Sequence, residues 1–318
     1  MNFTGLDIRL RLAYPPISNY DFTFVRTEKI VQQLLAESML YIIVQRPLMT
    51  FENVIIFEDE LTFEIHKQSC TEVLMCKMPI RQTSLFDDIS ADLTMEIGWH
   101  DKERDPSKLP WTEVDGLKFF QNGDFSSWLT PERFIYHWLT DKLVADVKGN
   151  YLPFITYDVH YVGKATNQPI WRRLDGHNTL QKILSIVTPQ GRALPTHELC
   201  LLLFDVSDVV SVGSFIPDDP DNTLRTFPTK STIALDAEKL LVQTLQPEFN
   251  DPSKRFPGYP ISTDGLSPYN FGHIVYQVRD ELRLKTAACT ILGAINSEQA
   301  DIFHIENNGP VKITRQTN

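Results

Sequence analysis

Six segments with the composition of β-strands occupy roughly the first 120 residues of the chain. Each is rich in β-branched and aromatic residues, and apolar and polar positions alternate in part along it, as they do in half-buried strands. The segments read LDIRLRLAY, LYIIVQRP, NVIIFEDE, LTFEIHK, EVLMCKMPI and DLTMEIGWH. A single helical stretch, TEKIVQQLLAESM, lies among them, with Thr27 as its predicted N-cap. The first part of the chain is therefore predicted to be strand-dominated.

The rest of the chain alternates between strands and helices. Thr130 and Pro131 are typical of an N-cap and a first helical position, so TPERFIYHWLTDKLV is predicted to be a helix. The strand-like segments YLPFITYDVHYVGKA and HELCLLLFDVS follow, with a helix predicted between them over 170–187. A second helix, over 234–248, precedes the strand NFGHIVYQVRD.

These patterns predict the α+β fold class, because short strands and helices follow one another after an all-strand beginning. A chain of 318 residues is long enough for two domains. We place a β-rich recognition or interaction domain over 1–140 and a smaller α+β domain over 141–318. The boundary lies at the helix that begins with Thr130 and Pro131.

Composition narrows the class of protein. The chain is 42% hydrophobic, but no apolar run approaches the roughly 18 residues that a membrane helix needs. The start lacks the pattern of a secretory signal, and the four scattered cysteines form no CxxC pair. A cytoplasmic location with reduced thiols and no membrane contact is therefore expected. The formal charge of −11 argues against a nucleic-acid coat over the whole surface, but it allows a small basic site.

One stretch, YVGKATNQPIWRRLDGH, combines residues that suit phosphodiester chemistry. Gly163 permits a close approach to the backbone, and Arg173 and His177 lie four residues apart, which places them on one face of a helix. An arginine can hold phosphoryl oxygens as charge builds on them, and tyrosine or histidine can orient water or move protons. Glu238, on the later helix, could hold one hard divalent cation whose shell is completed by water.

The order of these residues resembles the GIY-YIG endonuclease family over roughly residues 150–250. The tripeptide YVG at Tyr161–Gly163 is similar to the second signature tripeptide of that family, and RRLDGH is similar to its arginine–histidine helix. AEKLLVQTLQPEFN is similar to the helix that carries a metal-binding glutamate and is followed by an asparagine. The resemblance implies a small antiparallel sheet flanked by helices. It also implies hydrolysis of DNA phosphodiester bonds with one Mg²⁺, or Mn²⁺, at each site.

The resemblance further implies roles for individual residues and partners. The residues with implied catalytic roles are Tyr157, Tyr161, Arg173, His177 and Glu238, the last of them also as the metal ligand. Substrate binding is implied for Lys164 and Asn250, and a structural role for Gly163. DNA is the expected partner, and residues 1–140 are expected to bind a substrate, a protein partner or a second copy of the chain. A nuclease linked to such a domain suggests defence by restriction of foreign DNA.

The first signature tripeptide of the family is degenerate in this chain, and two segments are candidates for it. GNY, at Gly149–Tyr151, has the expected spacing of some ten residues before the second tripeptide. ITY, at Ile155–Tyr157, has the better strand character. We expect Tyr157, rather than Tyr151, to lie beside Tyr161.

Each of these residues also has a purely structural interpretation. Tyr157 and Tyr161 have side chains that are common in strands, and Arg173 could be a solvated helix residue. His177 and Glu238 could interact with the dipoles of nearby helices. A second function therefore stands beside the first: a non-catalytic module on a degenerate nuclease fold that binds nucleic acid or another protein.

Overall fold

The computed structural model describes residues 4–82, 92–99, 104–213, 227–251, 265–269 and 271–315. Ten strands form one large sheet: β1 (Thr4–Leu12), β2 (Ile17–Ser18), β3 (Leu40–Gln45), β11 (Thr156–Lys164), β12 (Leu199–Gly213), β13 (His273–Val278), β14 (Leu282–Lys285), β15 (Thr290–Gly293), β16 (Ile302–Glu306) and β17 (Lys312–Thr314). Two smaller sheets contain β4 (Met49–Phe57), β5 (Glu60–Lys67), β6 (Val73–Pro79) and β10 (Asp146–Lys148), and β7 (Leu93–Gly98), β8 (Gly116–Gln121) and β9 (Asp124–Leu129). The helices are α1 (Asn19–Val25), α2 (Lys29–Leu34), α3 (Pro131–Leu139), α4 (Ile170–Leu174), α5 (Asn178–Ile186), α6 (Pro195–Glu198) and α7 (Lys230–Leu245).

The large sheet has the strand order β15-β14-β11-β3-β12-β1-β13-β16-β17, with β2 added beside β12. It is mixed, because β11 runs parallel to β14 and β1 runs parallel to β13, whereas the other neighbours are antiparallel. Helix α7 packs on one face and helices α4 and α5 pack on the other. The central strands β3 and β12 are therefore apolar on both faces, as their runs LYIIVQ and LCLLLF require.

Residues 49–155 form an inserted module between β3 and β11, two neighbouring strands of the large sheet. The module contains both small sheets and α3, and a separate apolar cluster lies at its centre. Phe51, Phe63 and Phe134 meet edge to face in that cluster, with ring centroids 4.9–6.5 Å apart. The inserted module thus has its own core, while the strands on both sides of it belong to a different core.

The α+β fold class is confirmed, but the structure differs from the predicted division at residues 140 and 141. Strands β1 and β3, which fall in the predicted N-terminal domain, pair with β12 and β11 of the predicted C-terminal domain. The strand-rich character of the first 140 residues is real. It arises from two sources, the large sheet and the inserted module, which local composition does not separate.

The predicted helices differ from the observed ones in length and in continuity. Thr130 is the N-cap of α3 as predicted, since its side chain accepts a hydrogen bond from the backbone of Arg133. The helix predicted over 170–187 is two helices, because the chain turns at Gly176, whose φ of 69° is costly for any other residue. The N-cap of α2 is Glu28, one residue after the predicted Thr27. Within the described ranges, none of the helices has the length and apolarity to span a membrane.

Candidate active site

Two tyrosines approach each other across Gly163, where β3 and β11 pair. Gly163 is the register partner of Tyr41, and Tyr161 is the partner of Ile43. A Cβ atom on Gly163 would lie 2.5 Å from Cζ and Oη of Tyr41 and 2.6 Å from Cε1 of Tyr161. The glycine therefore provides the space in which the two rings lie, with their centroids 6.1 Å apart.

His177 contacts both rings and makes a hydrogen bond with Tyr41. Its ring centroid is 5.7 Å from that of Tyr41 and 5.5 Å from that of Tyr161. As the N-cap of α5, its Nδ1 accepts a hydrogen bond from the backbone N–H of Leu180 at 3.0 Å. A neutral imidazole with an accepting Nδ1 carries its proton on Nε2. Nε2–H therefore donates to Tyr41 Oη, which is 2.7 Å away.

The pKa of His177 is lowered from 6.5 to about 4, first by burial and then by the positive charge of Arg173. His177 is therefore neutral near pH 7, which agrees with the tautomer that its two hydrogen bonds require. The sequence interpretation placed Arg173 and His177 on one face of a continuous helix. The structure brings them together differently, with Arg173 near the end of α4 and His177 at the start of α5.

Arg173 interacts with both Tyr41 and Tyr161, mainly through its positive charge. Burial raises the pKa of both tyrosines, and the guanidinium opposes this effect in each case. The two tyrosines also act on each other, and this interaction adds to the raised pKa of Tyr41. We refer to Tyr41, Tyr161, Arg173 and His177 as the tyrosine cluster.

Glu238 lies on α7 and forms an ion pair with Lys164, the last residue of β11. The Lys164 Nζ atom is 2.8 Å from Glu238 Oε2, and the two side chains are 32% and 14% exposed. The negative charge of Glu238 also contributes, after burial, to the raised pKa of Tyr161. Helices α7 and α4 pack on opposite faces of the sheet, so Glu238 is linked to the tyrosine cluster only through the effect of its charge on Tyr161.

Asn250 does not extend toward a substrate. Its side-chain amide donates to the carbonyl of Val162 and accepts from the amide of the same residue, both at 2.9 Å, and it is only 8% exposed. Phe249 N–H donates to the carbonyl of His160 in the same way. Strand β14 pairs with β11 only over 156–158, so these two residues satisfy the backbone of β11 beyond that point. The predicted substrate-binding residue is therefore a residue that positions β11.

Tyr157 does not lie beside Tyr161. It is 3% exposed in the core that α7 covers, whereas Tyr161 packs on the opposite face of the sheet. Four residues along a regular strand would leave both side chains on one face, but the register shifts between Val159 and Tyr161. This bulge reverses the alternation of side chains between the two faces of β11, so Tyr157 and Tyr161 lie on opposite faces. Tyr151, the alternative, lies in the inserted module against Trp138, with ring centroids 5.7 Å apart.

Tyr41 occupies the position that was expected for Tyr157, and the sequence interpretation did not include it. Its strand was predicted from the run LYIIVQRP, so the residue was visible as a strand tyrosine. We expected about ten residues between the two strands that carry the paired tyrosines. The inserted module lies between β3 and β11 instead, so Tyr41 was too far from Tyr161 in the sequence to be considered. A tyrosine at the start of an apolar strand was the available signal.

The donor chemistry fits a hard cation only in part. Among the residues that the structure describes, no group of three or more His, Cys, Asp or Glu side chains is placed to hold a metal ion. Glu238 supplies a single carboxylate, which suits Mg²⁺ or Mn²⁺ when waters and substrate oxygens provide the other ligands. Glu238 would be the residue that holds such a cation, and it is paired with Lys164 here.

No protein-family model matches the chain, and neither does any curated protein or solved structure. The chemistry of the site must be argued from its own geometry. Two hydroxyls, one guanidinium and one neutral imidazole meet at Gly163, and a carboxylate held by a lysine lies at the end of the same strand. Such a set can bind an anion, orient a water molecule and hold one hard cation.

Proposed function

We propose that the protein is a metal-dependent endonuclease that hydrolyses DNA phosphodiester bonds. The observation that supports this function is the convergence of the tyrosine cluster at Gly163, from three separate parts of the chain. A structural aromatic pair needs no arginine between its hydroxyls and no neutral histidine behind them. A site that receives a phosphodiester uses both.

Arg173 is the residue that holds the phosphoryl oxygens. Its guanidinium is planar and permanently charged, so it can bind two oxygens at once, and its hold strengthens as charge develops on them in the transition state. It already faces the two tyrosine hydroxyls, which are exchangeable hydrogen-bond partners. A phosphate entering the site would take over part of this contact.

Tyr161 orients the attacking water, and Tyr41 and His177 fix its hydroxyl. The Nε2–H of His177 donates to Tyr41, so the position of the Tyr41 hydroxyl is set by this hydrogen bond, and the Tyr41 and His177 rings both pack against the ring of Tyr161. Burial and Glu238 raise the pKa of Tyr161. Tyr161 therefore keeps its proton near neutral pH and would position the water through its hydroxyl.

Glu238 would be the residue that holds the divalent cation. When bound, a divalent cation supplies Lewis-acid stabilisation of the developing negative charge. One such site cuts one strand at a time, so a supercoiled plasmid should become nicked before it becomes linear.

The decisive experiment is incubation of the purified protein with supercoiled plasmid in Mg²⁺ or in EDTA. We expect nicking in Mg²⁺, none in EDTA and none with Glu238→Gln. The matched control is Glu248→Gln, which alters an exposed glutamate just beyond α7 and should leave nicking unchanged. Nicking that persists in EDTA, or in the Glu238→Gln variant, would overturn the proposal.

A second function is supported by the Lys164–Glu238 pair, because a neutralised carboxylate also suits a site that only binds. In that case the protein would shift a DNA duplex in a gel, or bind a protein partner, without cutting in any divalent cation. The inserted module is then the natural binding surface. Self-association of this module and restriction of foreign DNA also remain proposals.

A further inference from the structure

A cavity of about 250 Å³ lies between the inserted module and the edge of the large sheet. Residues 149–152, at the end of the module, line one side of it. The other side is lined by four residues of the sheet edge and its connections, Glu281, Leu292, Ala294 and Gln299. A single water needs roughly 10–15 Å³ of cavity, so this space is large enough for a small organic molecule. None of the lining residues belongs to the tyrosine cluster, which makes the cavity a separate site.

Glu281 is the charged residue among those that line the cavity. Its Oε1 accepts a hydrogen bond from the backbone N–H of Ile295 at 3.1 Å. Burial raises the pKa of Glu281, and the hydrogen bond from Ile295 opposes this effect. Among the residues that the structure describes, no lysine or arginine forms an ion pair with this carboxylate. A half-buried carboxylate without a cation is unfavourable, so a cationic ligand would stabilise it.

Tyr151 and Gln299 add two neutral hydrogen-bonding groups to the cavity. Trp138 packs edge to face against Tyr151, with ring centroids 5.7 Å apart, and restricts the position of the phenol. The charges of Glu281 and Arg283 both act on Tyr151, and that of Glu281 acts more strongly. A primary ammonium has three N–H donors, and carboxylate, amide and phenol oxygens all accept hydrogen bonds. The lining therefore offers acceptors that match a primary ammonium.

We propose that this cavity binds a small primary ammonium compound with an apolar body. Glu281 would pair with the ammonium, while Leu152, Leu292 and Ala294 would cover the carbon atoms of the ligand. An anion of the same size would be repelled by Glu281, and a neutral alcohol would gain no ion pair. This site is independent of the proposed nuclease function, because the two sites share no residues.

The test compares three probes of similar shape that differ in charge. Phenethylammonium is the cation, 2-phenylethanol the neutral molecule and 3-phenylpropionate the anion. Binding of each probe to the whole protein is measured by ligand-observed nuclear magnetic resonance at neutral pH. We expect phenethylammonium to bind with a Kd on the order of millimolar, as fragments of this size do. It should bind at least about tenfold more tightly than the other two probes, the effect of a hydrogen bond to a charged group.

Two variants locate the site. Glu281→Gln keeps an acceptor for the Ile295 N–H but removes the charge, and Gln299→Lys places an ammonium of the protein itself at the cavity. Gln299 is exposed, so the second variant keeps the fold if the first does not. Glu298→Gln is the matched control, because it removes a negative charge from an exposed neighbour that does not line the cavity.

Both site variants should bind phenethylammonium about tenfold more weakly than the unaltered protein, and Glu298→Gln should bind it equally well. Three results would overturn the proposal: no saturable binding of phenethylammonium, equal binding of 2-phenylethanol, or unchanged binding by folded Glu281→Gln. If Glu281→Gln does not fold, unchanged binding by Gln299→Lys has the same meaning. Each of these results would leave the proposed nuclease function as it stands.

Discussion

The two faces of β11 use similar residues for different purposes. On one face, Tyr157, Val159 and Val162 pack into the core under α7. On the other, Tyr161 lies over Gly163 among polar groups, where the charge of an arginine acts on it. A bulge between the two tyrosines, rather than any difference in residue type, determines which of them faces which environment. Residue identity alone therefore does not show which tyrosine lies in the polar cluster and which lies in the core.

The largest expected effect is on stability, and it tests the face of β11 that packs under α7. Tyr157→Ala should lower the free energy of unfolding by about 3–5 kcal/mol, as large-to-small changes of buried aromatic residues do. Tyr157→Phe should keep nuclease activity, whereas Tyr161→Phe should lose most of it. Urea denaturation followed by plasmid nicking measures both quantities. If Tyr157→Phe also abolished nicking, the distinction between the two faces would be wrong.

The next effect tests the opposite face. Arg173→Ala should reduce the rate of nicking by about 10²–10³-fold, the effect of removing one preorganised donor to the transition state. Stability should change little, because Arg173 lies near the end of a short helix and is not in the core. Arg172→Ala is the control, since its side chain is exposed and points about 100° away around the helix. A larger loss for Arg172 than for Arg173 would contradict the assignment.

The third effect concerns pH and the neutral His177. Its pKa is about 4 in the folded protein against 6.5 unfolded, so between these values the unfolded chain binds more protons. Stability should therefore fall as the pH drops from 6.5 toward 4, by up to about 3 kcal/mol from this residue. His177→Gln should flatten this part of the profile in urea denaturation at a series of pH values. The pKa of His137, about 3 through burial, contributes a slope that the variant retains. An unchanged profile would mean that the pKa of His177 is not lowered in the folded protein.

The smallest effect concerns the edge of β11. Asn250→Ala leaves the buried amide and carbonyl of Val162 without their partner, which should cost about 1–3 kcal/mol of stability. Nicking should weaken with it, because Tyr161 and Lys164 are held by this part of the strand. Asn178→Ala, an exposed position on α5, is the control and should be neutral in both assays. If Asn250→Ala lowered DNA affinity without lowering stability, Asn250 would be a substrate-binding residue, as the resemblance implied.

Local features of the fold could be predicted from the sequence. Thr130 and Pro131 mark the start of α3, and the apolar runs of β3 and β12 correspond to strands buried on both faces. These features depend on residues within one turn or one strand. The break between α4 and α5 was also visible in principle, since Gly176 interrupts the helical pattern.

The pairing of distant strands could not be predicted. Tyr41 and Tyr161 meet because β3 pairs with β11. The composition of a strand does not indicate which other strand it pairs with. The bulge at His160 reverses the side-chain alternation without a glycine or a proline to signal it. The hydrogen bonds of Asn250 with the backbone of Val162 could not be predicted either. An asparagine after a helix is equally common as a helix cap, as a residue that binds substrate and as a partner of a strand backbone.

The inserted module has a kinetic consequence. Strands β3 and β11 would form a rapid hairpin if a short turn joined them, but roughly 110 residues separate their paired ends, which raises the entropic cost of closing the loop by about 2 kcal/mol relative to ten residues. That cost falls if the module folds first around its own core, since its two ends then leave side by side. We therefore expect the tyrosine cluster to assemble late in folding, after a part of the protein that contributes none of its side chains.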